Sequence, residues 1–400
     1  MVLGPGGCGV SVVATAGAAE RPRAPRDSRQ SVTRPARHTL LVTLDRNSPT
    51  ASWAGVYRQP GEVVAVSQYL HLLTLDRLDL SEQTWAAFVD VLSESVRRSK
   101  VALPGVGTIA GVDAAELTAL PGIEDFLLLR RIRDEATSGQ WQRIVVDCSG
   151  VGDPFAFLRA AAVLSQALNR FWPRHRRLAA AAERPVMAAL TAAVDAIDRD
   201  CADLSELITD ASAVAVHLVV GADDRGCRLV APMLADIDVM GLPLTSVVVN
   251  EAGGPGSQDV VARLNDLVAE RSESAGVVVG VRAVGRAPDT IDRLARLRKL
   301  GVTLAAPHGV PQGSAAAMVE SVGGAGVQAT YRMSWPQGLP DPDGLVLGRS
   351  GDDLLVTVSG FRHPIRLPSM LRRCTVVDAE WDGVRLAISF VPDPAVWPKR

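Results

Sequence analysis

Lysine is almost absent: Lys100, Lys299 and Lys399 are the only three among 42 basic residues in a chain of 400. Fixed positive charge in this protein is therefore an arginine's, and none of the lysines lies near the amino terminus. Cysteine is also sparse. Cys8, Cys148, Cys201, Cys227 and Cys374 form no C-x-x-C pair and have no histidine at matching spacing, which argues against a zinc site and a disulfide framework and leaves buried thiols. The six histidines, His38, His71, His175, His217, His308 and His363, show no ligand spacing, and no G-x-S-x-G elbow occurs, so metal catalysis and a hydrolase triad lack support. No apolar run approaches the ~18 to 20 residues of a membrane span, and no charged n-region followed by a long apolar stretch opens the chain. With a formal net charge of −2, nothing pulls the molecule toward nucleic acid or membranes. The expectation is a cytoplasmic protein with no nucleic-acid partner and no integral membrane span.

What is present describes a globular chain. Its 47% hydrophobic and 22% charged content suits a sizeable core spread over roughly two to three domains. Strand-like and helix-like stretches alternate through the first three quarters, the pattern of an α/β fold with a mostly parallel sheet. Expected strands are His38 to Asp45, Arg143 to Cys148, Ala213 to Gly221, Leu244 to Asn250, Ala275 to Val281 and Val302 to Pro307. Several are continuous apolar runs, as in strands covered on both faces. Between them, Ser81 to Arg98 places Trp85, Phe88, Val89 and Leu92 at helical spacing, a core-facing stripe.

Two stretches interrupt the rhythm. Glu20 to His38 carries six arginines and three prolines, which suits an exposed loop rather than a helix. Gly309 to Gly344, rich in Gly, Pro and Ser, reads as an inter-domain linker. After it come short alternating strands, DDLLVTVSG, HPIRLP, CTVVDAEWDG and VRLAISFVP, with a hairpin turn at Asp382-Gly383. The expected organisation is an α/β domain over 1–308 with helices over about 155–208, a linker over 309–344, and a small all-β module over 345–396 that docks on the larger domain. In the basic-aromatic run RFWPRHRR, Arg170 to Arg177, the internal Pro173 suggests a solvated connection between helices, with phosphate or lipid contact as the alternative.

The fourth to eleventh residues read GPGGCGVS. A phosphate-binding loop, G-x-x-x-x-G-K-[ST], needs glycines so that backbone N–H groups can point at phosphates, a lysine to reach the outer phosphates, and a hydroxyl for Mg²⁺. Gly4 and Gly9 have the spacing and Ser11 is in place, but Val10 stands at the lysine position. The alternative is a glycine-rich turn after a short strand. Only Met1 to Leu3 precede the loop, so that strand is very short, and an upstream start of the natural chain is one reading.

Four collinear segments resemble the ArsA-like family, the arsenite-pump and tail-anchored-protein-targeting ATPases. GPGGCGVS aligns without a gap to the family loop GKGGVGKT. LVTLDRNSP keeps the first-switch Asp45, with Arg46 where the family has proline. DCSGVGDPFAFL keeps Asp147 and Gly152 of the second switch, after a stretch resembling the family's P-G-x-x-E helix. VVVN places Asn250 where the family's base-contacting asparagine stands. The β module resembles the α-crystallin-like domain at the carboxyl end of some bacterial members.

The resemblance implies a P-loop fold that binds ATP or ADP with Mg²⁺. Gly4, Gly6, Gly7, Cys8, Gly9, Val10, Ser11 and Asn250 would line the nucleotide, Asp45, Asp147 and Gly152 would form the switches, and Ser11 and Asp45 would hold the metal. The departures concern charge. Pro5 replaces the lysine that reaches the partner's nucleotide across a dimer, Val10 replaces the loop lysine, and Ser52 stands where targeting members have a water-orienting aspartate. Arg46 or the Arg-rich loop is a candidate substitute. The expected function is a nucleotide-binding or pseudo-ATPase partner of an ArsA-like ATPase, as a heterodimer with a paralogue or as a homodimer, acting in protein or membrane-client handling; the stretch Phe155 to Ile208 corresponds to the family's helical subdomain that receives a helical client, with an ordinary buried helix pair as the alternative. The alternatives are an active ATPase and a chaperone-like holdase. The family's arsenite-binding cysteines have no counterpart cluster here.

Overall fold

The computed structural model describes residues 1–20, 38–99, 111–113, 116, 122–183, 187–254, 257–275, 278–307 and 317–397. They form two compact units. The first comprises Met1–Gly6, Val10–Ile208 and Asp289–Thr303, and the second Gly7–Gly9, Thr209–Pro288 and Leu304–Arg400.

In the first unit, strands β1 (Val2–Leu3), β2 (Thr39–Thr43), β3 (Val63–Ala65), β4 (Leu70–Thr74) and β5 (Arg143–Asp147) lie in the order β3-β4-β2-β5-β1. All neighbours pair in parallel except β3 with β4. β2, TLLVT, is buried along its whole length, which explains its apolar centre, Leu40 to Val42: a parallel strand covered on both faces has no solvent-facing side. Helix α1 (Val10–Ala18) packs on β5 and is almost wholly buried. α2 (Thr50–Ala54) ends on Gly55 in the left-handed conformation. On α3 (Arg77–Ser99), Trp85, Phe88 and Val89 are half-buried, and α3 packs on α4 (Ile123–Thr137).

Four helices, α5 (Pro154–Leu158), α6 (Ala160–Phe171), α7 (Arg174–Glu183) and α8 (Ala188–Thr209), occupy the alanine-rich stretch. The run RFWPRHRR joins α6 to α7, with Phe171 and Arg174 to Arg176 exposed. Arg177 differs from the solvated residue the run suggested: it is fully buried, its Nε donating to Asp195 at 2.7 Å, its Nη2 to Asp198 at 3.0 Å and its Nη1 to the Trp172 carbonyl at 2.7 Å. A buried guanidinium is held by partners on all its faces.

In the second unit, β6 (Val216–Gly221), β7 (Leu244–Ala252) and β8 (Gly280–Gly285) pair in parallel, with α9 (Asp224–Met240) and α10 (Ser257–Ala275) between them in sequence. In the apolar run Ala275 to Val281, Ala275 belongs to α10 and β8 begins at Gly280, while positions 276 and 277 lie outside the described residues. Val302 to Pro307 forms no strand, although Val302 and Leu304 are buried. A short helix, α11 (Leu294–Arg298), precedes it in the first unit.

The carboxyl-terminal module has two antiparallel sheets, β14-β15-β10-β9 and β11-β12-β13, from β9 (Met318–Gly323), β10 (Thr330–Pro336), β11 (Val346–Ser350), β12 (Asp353–Val358), β13 (Phe361–Arg366), β14 (Cys374–Trp381) and β15 (Arg385–Pro392). The stretch expected as a linker is therefore largely built into the module: β9 and β10 pair with each other, and β10 pairs with β15. Its described glycines and prolines fall at strand ends and in the turns between strands, whereas Met333 and Trp335 alternate inward. Positions 309–316, and most of the Arg-rich stretch, 21–37, lie outside the described residues.

The module sits on α9. Gln337 Nε2 donates to the Ala235 carbonyl at 3.0 Å, its Oε1 accepts from Trp335 Nε1 at 3.0 Å, and the Gly338 N–H donates to Asp238 Oδ2 at 3.0 Å. Burial pushes the Asp238 carboxyl up in pKa, while Arg271, which pairs with it from α10, pulls the other way. No helix among the described residues is long and apolar enough to cross a membrane.

Candidate phosphate-binding site

The glycine loop leaves β1 and opens α1. In the first unit its last two residues are Val10, which is buried, and Ser11, which is half-buried. The Val10 side chain thus packs inward, as an apolar group must, and brings no charge to the loop. Ser11 Oγ lies 2.8 Å from Ser149 Oγ, and the Ser149 N–H donates to Asp147 Oδ1 at 3.0 Å. The carboxyl end of β5 and the start of α1 therefore bring two hydroxyls and a carboxylate together.

Asp147 is fully buried, and its Oδ2 has no hydrogen-bond partner. Burial drives its carboxyl up in pKa, the nearby Asp45 adds to the rise, and the Ser149 N–H with the Ser11 and Ser149 hydroxyls opposes it. An ionisable oxygen buried without a partner is costly unless a cation or donor meets it. Asp45 follows β2; its Oδ1 accepts the Asn47 N–H at 2.8 Å, and its carbonyl accepts the Ser48 N–H at 3.0 Å. Gly150, with φ +77°, lies so close that a Cβ there would stand 2.5 Å from Asp45 Cβ and 2.8 Å from its Cα. Only a glycine allows the turn after β5 to rest against Asp45. Gly152 makes a second left-handed turn, and Asp153 then caps α5 by accepting the Phe155 N–H at 2.9 Å.

Ser11, Ser149, Asp45 and Asp147 are hard oxygen donors, of which two are carboxylates. That set fits Mg²⁺, which takes one or two carboxylates and completes an octahedron with water and phosphate oxygens. The uncompensated Asp147 Oδ2 is the atom such a cation would neutralise. No group of three or more His, Cys, Asp and Glu among the described residues could hold a metal. Ser52, at the expected place of a carboxylate, is exposed on α2.

In the second unit the middle of the loop, Gly7–Gly9, is tied to the sheet. Cys8 is buried and its thiol reaches the Val219 carbonyl of β6 at 3.2 Å, while Asn250 Nδ2 donates to the Cys8 carbonyl at 3.0 Å. Asn250 therefore spends an amide proton on the loop backbone, and its own carbonyl accepts the Ala222 N–H at 3.1 Å. Gly7 and Gly9 have φ of +83° and +84°, the left-handed region that favours glycine.

The structure thus brings Ser11 and Asp147 together with Asp45 beside them, and it sets Asn250 against Cys8. Arg46 is exposed, and the Arg-rich run lies outside the described residues except at its ends. Ser149 and Gly150 were missed in the sequence, although D-C-S-G immediately after a buried strand marks a tight polar turn. Arg225, whose Nη1 stands 3.9 Å from the place of a Gly7 Cβ, carried no sequence signal.

A strand running through a glycine loop into a helix, in a mostly parallel sheet with acidic residues at the strand ends, defines a P-loop α/β protein. Residues 1–263 match the anion-transporting ATPase family, and residues 329–390 match the HSP20-like domain found in ArsA. The chain belongs to the anion-transporting ATPase family and carries that HSP20-like domain at its carboxyl end. It is similar to Protein Rv2184c of Mycobacterium tuberculosis, 31% identical over 400 residues that cover 90% of each chain. It is also similar to protein SCO2128 of Streptomyces coelicolor, 31% identical over 418 residues covering 100% of this chain and 98% of the other. A more distant relative, a putative arsenical pump-driving ATPase of Chlorobaculum tepidum, is 22% identical over 202 residues, 48% of each chain.

Proposed function

We propose that this chain binds a Mg²⁺-nucleotide at Gly4 to Ser11 and hydrolyses it far more slowly than a P-loop ATPase with its lysines, serving as the slow-turnover partner of an ArsA-family ATPase in the handling of a protein or membrane client. The observation that carries the reading is an imbalance. The oxygen set for the metal, Ser11 with Ser149, Asp147 and Asp45, is assembled around an unpartnered buried carboxylate oxygen. The charge set for catalysis is depleted, with Val10 buried, Pro5 in place of a lysine and a hydroxyl at position 52.

Phosphoryl transfer is catalysed almost wholly by positioning and charge stabilisation, and a single arginine finger is worth ~10³ to 10⁵ in rate. Backbone N–H groups and a helix start favour an anion without any lysine. Binding and turnover therefore separate. The partner is a paralogue with both loop lysines, or a second copy of this chain.

Titration calorimetry with ATP·Mg²⁺ and ADP·Mg²⁺, paired with phosphate release, tests the proposal. Saturable binding weakened by Ser11→Ala, with turnover ~10³-fold or more below that of a lysine-bearing family member, is the expected result. Absence of binding at millimolar nucleotide, or turnover within tenfold of such a member, overturns it.

A further inference from the structure

A triphosphate carries several negative charges, and a loop without lysine must balance them with something other than peptide dipoles. Arginine supplies nearly all of the cationic side chains, the lysines being three of 42 basic residues. Among the described residues of the second unit, the structure places the Arg225 guanidinium near Gly7. Arg225 stands in the first turn of α9, and its Nη1 is 3.9 Å from the position a Cβ on Gly7 would occupy.

Its placement is built into the backbone. β6 ends at Gly221, the chain turns, and Asp223 caps α9 by accepting the Gly226 N–H at 2.7 Å. Gly226 approaches β6 so closely that a Cβ there would lie 2.1 Å from the Gly221 carbonyl oxygen. Asn250 links this turn to the loop: its carbonyl receives the Ala222 N–H, and its amide donates to the Cys8 carbonyl. The turn that carries Arg225 and the loop that would carry phosphate are therefore fastened to the same residue. Arg225 itself is exposed.

The geometry points to Arg225 as the phosphate-binding cation of this loop, in place of the missing loop lysine, contacting the phosphate chain of a nucleotide over Gly7. Its planar fork binds two phosphate oxygens at once, where a lysine would offer a single point charge. The inference rests on the nucleotide reading above. It goes beyond that reading by supplying the charge that loop sequence alone lacks.

The test uses the full chain and four probes: adenosine, ADP·Mg²⁺, ATP·Mg²⁺ and inorganic tripolyphosphate, each titrated calorimetrically into wild type, Arg225→Ala and Arg225→Lys. Arg225→Ala is expected to weaken ATP·Mg²⁺ and tripolyphosphate by about 10- to 100-fold, the scale of one hydrogen-bonded charge pair, with adenosine unchanged. Arg225→Lys should recover part of that loss. Equal loss for adenosine and ATP·Mg²⁺ would make Arg225 a support of the loop and overturn the inference, as would unchanged ATP·Mg²⁺ affinity. In both cases wild-type binding, if present, leaves the nucleotide reading standing. Failure of wild type to bind any probe overturns both. Should Arg225→Ala not fold, Arg225→Lys decides alone: retained full affinity for ATP·Mg²⁺ would exclude a bidentate contact, and a selective loss on phosphate-bearing probes would support it.

Discussion

Gly226 offers a sharp test of how the second unit holds its helix start. Replacing it with alanine puts a methyl group 2.1 Å from the Gly221 carbonyl oxygen, where carbon and oxygen settle at about 3.3 Å. The first turn of α9 must then open by about 1 Å. Overpacking of that size costs about 1–3 kcal/mol, and losing the 2.7 Å cap from the Gly226 N–H to Asp223 adds about 1 kcal/mol. Alanine returns at most about 1 kcal/mol through its better helix propensity. The net loss is therefore about 1–3 kcal/mol, which lowers hydrogen-exchange protection of the α9 amides by about 5- to 140-fold. Exchange followed by mass spectrometry over peptides covering 227–240 reads this directly. Unchanged or increased protection, as propensity alone would give, refutes the close approach of α9 to β6.

Two further substitutions probe the first unit. Asp147→Asn removes a carboxyl whose pKa burial has raised above its ordinary 3.8. In the wild type without metal, the folded state holds that proton while the unfolded state has lost it, so stability falls as pH rises from about 3.8 through the folded value and then levels off. The asparagine variant should escape that loss: its thermal midpoint should exceed wild type's at pH 7 and approach it at pH 4, and its stabilisation by ATP·Mg²⁺ should disappear. A midpoint difference independent of pH would refute the assignment. Gly150→Ala forces a side chain into the left-handed region, a cost of about 1–2 kcal/mol, and drives a methyl against Asp45 at 2.5 Å. Urea unfolding should show at least that loss, and a change below about 0.5 kcal/mol would mean that the turn after β5 does not rest on Asp45.

What the sequence revealed depended on how local the signal was. β2, β5, β6 and β7 were legible because each carries an apolar centre, LLV, IVV, LVV and VVV, as strands covered on both faces do. In the β module, Leu354, Val356 and Val358 alternate inward as their spacing predicts. β9 and β10 were lost among glycines and prolines, because composition averaged over 36 positions from 309 to 344 hides a seven-residue strand such as Thr330–Pro336. Ser11, Asp45 and Asp147 could be named from the collinear motifs, since each follows a strand or opens a helix at fixed spacing. Arg225 could not. Its proximity to Gly7 is set by the turn at 221–226 and by Asn250, contacts made across more than 200 positions of chain, and an arginine in the first turn of a helix has no local pattern to mark it.

The absence of an amine on the loop has a practical consequence. Acyl-phosphate nucleotide probes identify binding proteins by transferring an acyl group to the lysine beside the phosphates, and GPGGCGVS has no primary amine to receive it. A guanidinium does not take the place of that amine as acyl acceptor. Inventories built on labelling of the loop lysine would find no such lysine in this chain's loop, whereas photo-crosslinking through the base does not depend on one.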